Sequence, residues 1–254
     1  MLNLIGVGLY NGDISVRAVD AAAASEFVFA DTYTSFMDED RIAYLSTKLH
    51  KKIKLLDRPD MEEHSIKLID LSKESDVSIL FGGDPLVATT HKILFLQAKE
   101  AGVDIRVFHS ASVFSAAIGE SGLDFYRFGG VCTIPHWYDN YKPVSFYETI
   151  ARNFKNDLHS LVLLDYDQRL NRSMSIGEAM RTLDMAEAHY KQGIANKNKY
   201  IFIISDISME SQKVIFTTLE KAAMLDFRPH VSTIIIPAKM SDIEKEVARL
   251  FPAR

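Results

Sequence analysis

The stretch from Asp76 to Gly102 constrains this chain most. Residues 76–81 form a short apolar run with β-branched members, stopped by Gly82 and Gly83, which reads as a buried strand. From Thr89 the apolar spacing turns helical, with Leu94, Ala98 and Ala101 four and three apart and Gly102 behind them. A strand, a glycine turn and a helix in that order make the unit of a parallel α/β sheet, whose ligands bind beyond the carboxyl ends of the strands. Paired glycines let a ligand approach the main chain, because no Cβ stands in the way. Pro85 stiffens the turn, and Asp84 offers a carboxylate beside free backbone N–H groups. Spacing alone is equally compatible with a turn that merely needs glycines.

The remaining chain repeats the alternation. Strands are expected at 2–7, 26–30, 103–108, 131–135, 160–165, 200–204 and 231–237, the last a near-continuous β-branched run buried on both faces. A helix follows Asp13-Ile14-Ser15, with Asp13 as N-cap and Val16, Val19 and Ala23 as its apolar stripe. Further helices are expected over 61–71 and 211–225. Ser175 with Glu178 and Ser241 with Glu244 are capping boxes that open two more. Ile176, Ala179, Met180, Leu183 and Ala186 supply the buried stripe of the first, and Gly193 ends it. The lysine-rich run Lys48, His50, Lys51, Lys52 and Lys54 suits a solvated edge strand or a surface that docks an acidic protein. Strands alternating with helices throughout predict an α/β protein.

At 254 residues the chain fits one large α/β domain or two small ones. Its 47% apolar and 25% charged residues are those of an ordinary globular protein. No run reaches the roughly 18 apolar residues that span a bilayer, and the start lacks the pattern of a signal peptide, so a cytoplasmic protein without a membrane partner is expected. A net charge of −5 argues against nucleic acid as partner. Cys132 is the single cysteine and the eight histidines show no ligand spacing, so no metal site is predicted. Phosphate-loop, zinc-protease and nucleophile-elbow motifs are missing. Gly6-Val7-Gly8-Leu9-Tyr10-Asn11-Gly12 has Asn11 where a dinucleotide fingerprint needs its third glycine.

Gly82-Gly83-Asp84-Pro85-Leu86-Val87-Ala88-Thr89-Thr90-His91 resembles the signature of the diphthine synthases, a branch of the tetrapyrrole-methylase-like class of S-adenosylmethionine methyltransferases. The likeness runs along nearly the whole chain. It includes the Gly6-x-Gly8-Leu9 opening with Asp13-Ile14-Ser15, the Tyr33-Thr34-Ser35 segment and His109-Ser110-Ala111-Ser112-Val113. Further on it takes in the aromatic loop Pro135 to Pro143 around Trp137, the strand ending in Leu164-Asp165, and the Pro229-His230 pair. The resemblance implies two α/β domains, 1–111 and 112–254, with mixed, largely parallel sheets and the cofactor in the cleft between them. It implies S-adenosyl-L-methionine as methyl donor and S-adenosyl-L-homocysteine as product. The substrate would be translation elongation factor 2, methylated repeatedly on the amino group of an aminocarboxypropyl-modified histidine, and the enzyme would be a homodimer. Residue by residue, the family's cofactor contacts fall on Leu9, Asp84, Val87, Ser112, Val113, Leu164, Ile207 and His230. One segment departs: Ser205-Asp206-Ile207-Ser208 stands where an Ala-Arg-x-Gly-Ser pattern is usual, which bears on how substrate is oriented.

No catalytic residue is assigned. The sulfonium of the donor is already activated, and an α-amino group with a pKa near 7.7–8.0 is partly neutral at physiological pH, so alignment can carry much of the chemistry. Two other readings share the fold: a methyltransferase for a tetrapyrrole or corrinoid ring, and a non-catalytic sensor that binds the cofactor.

Overall fold

The alternation closes into two α/β units, Met1–Val113 and Phe114–Arg254, each built on its own five-stranded sheet. The computed structural model describes residues 1–34, 36–89, 91–167, 172–226 and 229–252; Ser35 and Thr90 of the motifs above lie outside them.

The first unit runs β1 (Leu2–Gly6), α1 (Val16–Ala24), β2 (Phe27–Asp31), α2 (Glu39–Leu49), β3 (Ile53–Leu56), α3 (Arg58–Glu62), α4 (Ser65–Glu74), β4 (Val77–Phe81), α5 (Lys92–Glu100) and β5 (Ile105–Phe108). Its strand order is β3-β2-β4-β1-β5, and the pairings among the described residues are parallel. Leu2, Leu4, Phe29, Ile79 and Phe81 pack on Leu68, Ile69, Leu94 and Ala98 of α4 and α5. Ile5, Val28, Ala30 and Leu80 pack on Ala18, Ala22, Leu45 and Leu49 of α1 and α2. The chain therefore leaves β1 over one face of the sheet and β4 over the other. Adjacent strands whose connections depart in opposite directions define a topological switch point, and the crevice beyond their carboxyl ends is where such sheets bind ligands. The Gly-Gly-Asp-Pro turn stands at that point.

The second unit contains α6 (Val113–Ser121, whose first residue closes the first unit), β6 (Cys132–Ile134), α7 (Ser145–Lys155), β7 (Ser160–Leu164), β8 (Tyr166–Asp167), β9 (Arg172–Ser173), α8 (Ile176–Tyr190), β10 (Tyr200–Ser205), β11 (Lys213–Thr218), α9 (Leu219–Ala222), β12 (Ser232–Ile236) and α10 (Asp242–Ala248). Its sheet is mixed, in the order β11-β10-β12-β7-β6. β6 and β7 are parallel, and the other neighbours are antiparallel. Both capping boxes form, and the stripe Ile176, Ala179, Met180, Leu183 and Ala186 is buried as expected.

Four local expectations change. Ser15, not Asp13, caps α1 by accepting from the Ala18 N–H, while Asp13 turns back to Leu9 and Tyr10. Val16, at 77%, and Ala23 are both exposed, because α1 meets the sheet through the small residues Ala18 and Ala22. The helix expected over 61–71 is two helices, since Asp57 and Asp60 form a capping box that starts α3 early. The helix expected over 211–225 is largely strand β11, with only the short α9 after it. Val214, Ile215, Phe216 and Thr217 suit a pleated surface, and Phe216 stacks on Tyr200 of β10 with ring centroids 4.9 Å apart.

Candidate active site

In the first unit the ends of β1, β4 and β5 are sewn into one rim. Beyond β1, the Gly8 N–H donates to the Gly83 carbonyl at 3.2 Å, and the Gly83 N–H returns to the Gly8 carbonyl at 2.7 Å. Both glycines have positive φ, which side-chain-bearing residues rarely adopt. Asp84 is buried, and its carboxylate spans the rim. Oδ1 accepts the Leu86 N–H at 3.0 Å, while Oδ2 accepts from His109 Nδ1 at 2.8 Å and from the Ser110 N–H at 3.3 Å. Ser110 Oγ then donates to the Asp13 carbonyl at 3.1 Å, bringing β5 back to the β1 loop.

Two buried polar groups support this rim from below. Arg41 of α2 is 5% exposed and donates to the carbonyls of Val7, Gly8 and Leu9 at 3.1, 2.6 and 3.1 Å. Burial pulls its pKa down, against the attraction of Asp13 and Asp38. The other is His91, the last residue of the signature. It is 4% exposed and packs on Phe81, with Nδ1 3.0 Å from the Pro85 carbonyl and Nε2 3.1 Å from Asp31 Oδ2. Asp31, fully buried, also accepts from Tyr33 N–H and from Thr34. The loop after β2 and the Pro85 turn are thereby joined.

The predicted contacts of the first unit lie along this rim. Leu9 is half-buried, its N–H on Asp13 and its carbonyl on Arg41. Val87 is 37% exposed, an apolar side chain open beside the turn. Ser112 and Val113 are half-buried where β5 leads into α6.

In the second unit, Leu164, Ile207 and His230 meet at one end of the sheet. Leu164 ends β7, Ile207 follows β10, and His230 precedes β12, which runs antiparallel to both. Ile207 is buried, leaving backbone for any ligand contact, and His230 is exposed. Asp206, the residue at the departure from the family pattern, has φ of 52° and is buried. It accepts the Val231 N–H at 3.1 Å and Ser211 Oγ at 2.9 Å, and its Oδ2 lies 3.4 Å from His230 Nδ1. The Asp206 carboxylate thus has a local role, holding the chain that enters β12.

The aromatic loop follows β6 at this same end, where Ile134 pairs with Leu164. Trp137 donates to the Pro143 carbonyl at 3.1 Å and packs near Phe146, and Tyr138 donates to Asp167 at 2.9 Å. A cavity of about 190 Å³ opens there, lined by His136, Trp137, Tyr138, Asp167 and Arg172.

Sequence reasoning missed Arg41, the Asp31–His91 pair and the role of His109. Arg41 sits in an ordinary amphipathic helix and carries no local signal. His91 and His109 stood inside quoted motifs, yet their carboxylate partners lie far away in sequence. Among the described residues no cluster of His, Cys, Asp and Glu could hold a metal ion.

The first unit thus carries a strand-end crevice edged by bare glycine backbone, and the second a mixed sheet of its own. The family model of the Tetrapyrrole (Corrin/Porphyrin) Methylases matches residues 1–223. The diphthine synthase of Methanothermobacter thermautotrophicus is 36% identical, covering 97% of this chain and 93% of that protein. The diphthine synthase of Methanosphaerula palustris is 36% identical over 99% and 98%. A crystal structure of a diphthine synthase superposes with a TM-score of 0.88 at 30% identity, covering 99% of this chain and 95% of that one. The chain belongs to the tetrapyrrole methylase family and, within it, to the diphthine synthases: it is an S-adenosylmethionine-dependent methyltransferase.

Proposed function

We propose that this enzyme methylates the amino group of an aminocarboxypropyl-modified histidine of translation elongation factor 2, repeatedly, to the trimethylated amine of diphthamide biosynthesis. The observation that carries the reading is the Gly82–Thr89 turn, in the diphthine synthase wording, seated at the switch point of the first sheet. The same reading gives a cytoplasmic homodimer that binds neither nucleic acid nor membrane. Among the described residues no helix is long and apolar enough to cross a membrane.

The rim of the first unit suits S-adenosyl-L-methionine. Gly82 and Gly83 present backbone without side chains, and a Cβ on Gly83 would meet nothing nearer than the Ala111 carbonyl at 3.9 Å. Asp84 Oδ1, bonded to the Leu86 N–H, keeps acceptor capacity for a hydroxyl or ammonium group. Val87 and Leu9 supply apolar surface. Ser112 and Val113, together with Leu164, Ile207 and His230, complete the proposed set. The bound cofactor supplies a methyl group activated by its sulfonium. The chain's own task is to hold the amine in line with that methyl and to exclude water, an alignment worth roughly 7–11 kcal/mol.

Mass spectrometry of elongation factor 2 carrying the modified histidine, incubated with enzyme and S-adenosyl-L-methionine, tests the reading. Methyl additions confined to that histidine peptide are expected, up to the trimethylated amine. No addition with the cofactor still bound redirects the search to a corrinoid or tetrapyrrole substrate, or to a sensor.

A further inference from the structure

Repeated methylation of an amine requires a group that accepts the protons the nitrogen sheds. We propose that His109 is that general base and that Asp84 positions it; the inference rests on the amine-methylation reading above. The His109 side chain is 69% exposed, while that of Asp84, 2.8 Å from its Nδ1, is 6% exposed. A carboxylate only accepts, so Nδ1 carries a proton, and in the neutral ring Nε2 keeps the lone pair. Asp84 cannot swing away, because the Leu86 and Ser110 N–H groups hold its two oxygens. An imidazole whose tautomer is set by a buried carboxylate is the arrangement that equips histidine as a base.

The other His–carboxylate pairs among the described residues are less suited. His91 and His159 are buried, with both ring nitrogens engaged by the protein. His230 lies 3.4 Å from Asp206, whose shorter bonds go to Ser211 and Val231. His109 combines a short bond to a fixed carboxylate with an open ring, on the rim that carries the Gly-Gly-Asp-Pro turn.

An α-amino group with a pKa near 7.7–8.0 is mostly protonated at pH 7. Nε2 takes one proton from the ammonium and frees the nitrogen lone pair. The nitrogen then bonds to the methyl carbon as the carbon–sulfur bond breaks, and that electron pair goes to sulfur, which leaves as a thioether. The imidazolium returns its proton to water across its exposed face. Two further rounds repeat the sequence, and after the third methyl the nitrogen has no proton left. A base open to water matters most where the half-methylated product must be deprotonated without leaving the site.

The test compares full-length wild type, His109→Asn and His109→Ala. Asparagine keeps an N–H for Asp84 but has no acceptor at the Nε2 position. With wild type methylating the elongation factor, His109→Asn is expected to bind S-adenosyl-L-methionine as wild type does in calorimetry. Its kcat is expected to fall about 100-fold, within the range for general base catalysis, with mono- and dimethylated products accumulating. Free imidazole should restore at least a tenth of the lost rate to His109→Ala. Independently of turnover, ¹⁵N NMR of the wild-type ring should place the proton on Nδ1. A wild-type kcat and product distribution in His109→Asn, a loss that imidazole does not rescue, or a proton on Nε2 instead of Nδ1 would each overturn the assignment while leaving the function intact. An inactive wild type would remove the functional reading and this assignment with it.

Discussion

Replacing Gly6 by alanine is the sharpest probe of the sewn rim. A Cβ at Gly6 would lie 2.6 Å from the Gly83 carbonyl oxygen, 2.9 Å from Pro85 Cδ and 2.9 Å from Ser110 Cβ. Real Cβ atoms do not approach so closely, so the turns after β4 and β5 must both move by several tenths of an ångström. Neither turn moves freely. The Gly83 oxygen is bonded to the Gly8 N–H, and Ser110 is held by Asp84 and Asp13. Overpacking of this kind costs about 1–3 kcal/mol, and the upper half of that range applies because the nearest atom is hydrogen-bonded backbone. For a chain of this size 1 kcal/mol shifts Tm by about 2–4 °C, so a fall of about 4–12 °C is expected. Affinity for S-adenosyl-L-methionine should fall as well, since the displaced turn is the proposed binding edge. Gly119→Ala is the matched control. Its Cβ would meet nothing within 4 Å, and it sits inside α6. A gain of about 0.5–1 kcal/mol, with unchanged affinity, is expected there. Differential scanning calorimetry and isothermal titration read both effects. A Gly6→Ala protein melting within about 1 °C of wild type with unaltered affinity would refute the close approach on which the rim depends.

Two further outcomes concern buried charges in the second unit. Glu244 is 4% exposed; burial alone would raise its pKa, but the Asp124 and Ser241 N–H groups, the Ser241 side chain and His159 hold it at about 2. A carboxylate lowered in the folded state adds stability that is full above its ordinary value of 4.5 and lost as pH falls toward 2. A shift from 4.5 to about 2 corresponds to about 3 kcal/mol, so Glu244→Gln should be less stable than wild type by up to that amount at pH 7, and urea titrations at descending pH should show the gap closing below pH 4.5. Lys199 shows the opposite sign. Burial lowers its pKa to about 8 against the pull of Glu187, and its Nζ, without a hydrogen-bond partner among the described residues, lies 3.7 Å from the Phe154 ring centroid. The charged form is the one penalised, so wild-type stability should rise as pH climbs from 8 to 10.5. Lys199→Met should be more stable by about 1–2 kcal/mol at pH 7 after allowance for partial exposure and the ring's attraction. That advantage should vanish above pH 10.5. An advantage that persists at high pH would show that packing, and not charge, sets the cost.

Much of the fold, and the place of the candidate site within it, were legible in the chain. The strand and glycine turn at 77–83 stand out because a short, mostly apolar buried run with β-branched members, stopped by glycines, has few other solutions. Asp84 was recognised as the polar residue of the turn, and its neighbours in space were not. The structure adds that its carboxylate is already engaged by Leu86, His109 and Ser110, so it organises the rim whatever else it contacts.

Local order was written in local residues. The capping boxes Ser175–Glu178 and Ser241–Glu244, and the stripe of α8, form as read because their partners lie within one or two helical turns. What tertiary structure alone decided depends on partners far along the chain. Residues 213–218 become a strand because β10 offers an edge to pair with and Tyr200 and Phe202 offer rings to pack on. Asp31 meets His91 sixty residues away, and Arg41 turns a helix face into a clamp on the carbonyls of the β1 loop. Hydrophobic periodicity specifies which face of an element is buried, but a hydrogen bond between strand ends has no period. Only when the parallel sheet brings those ends to one edge do Asp84 and His109 come within reach of each other.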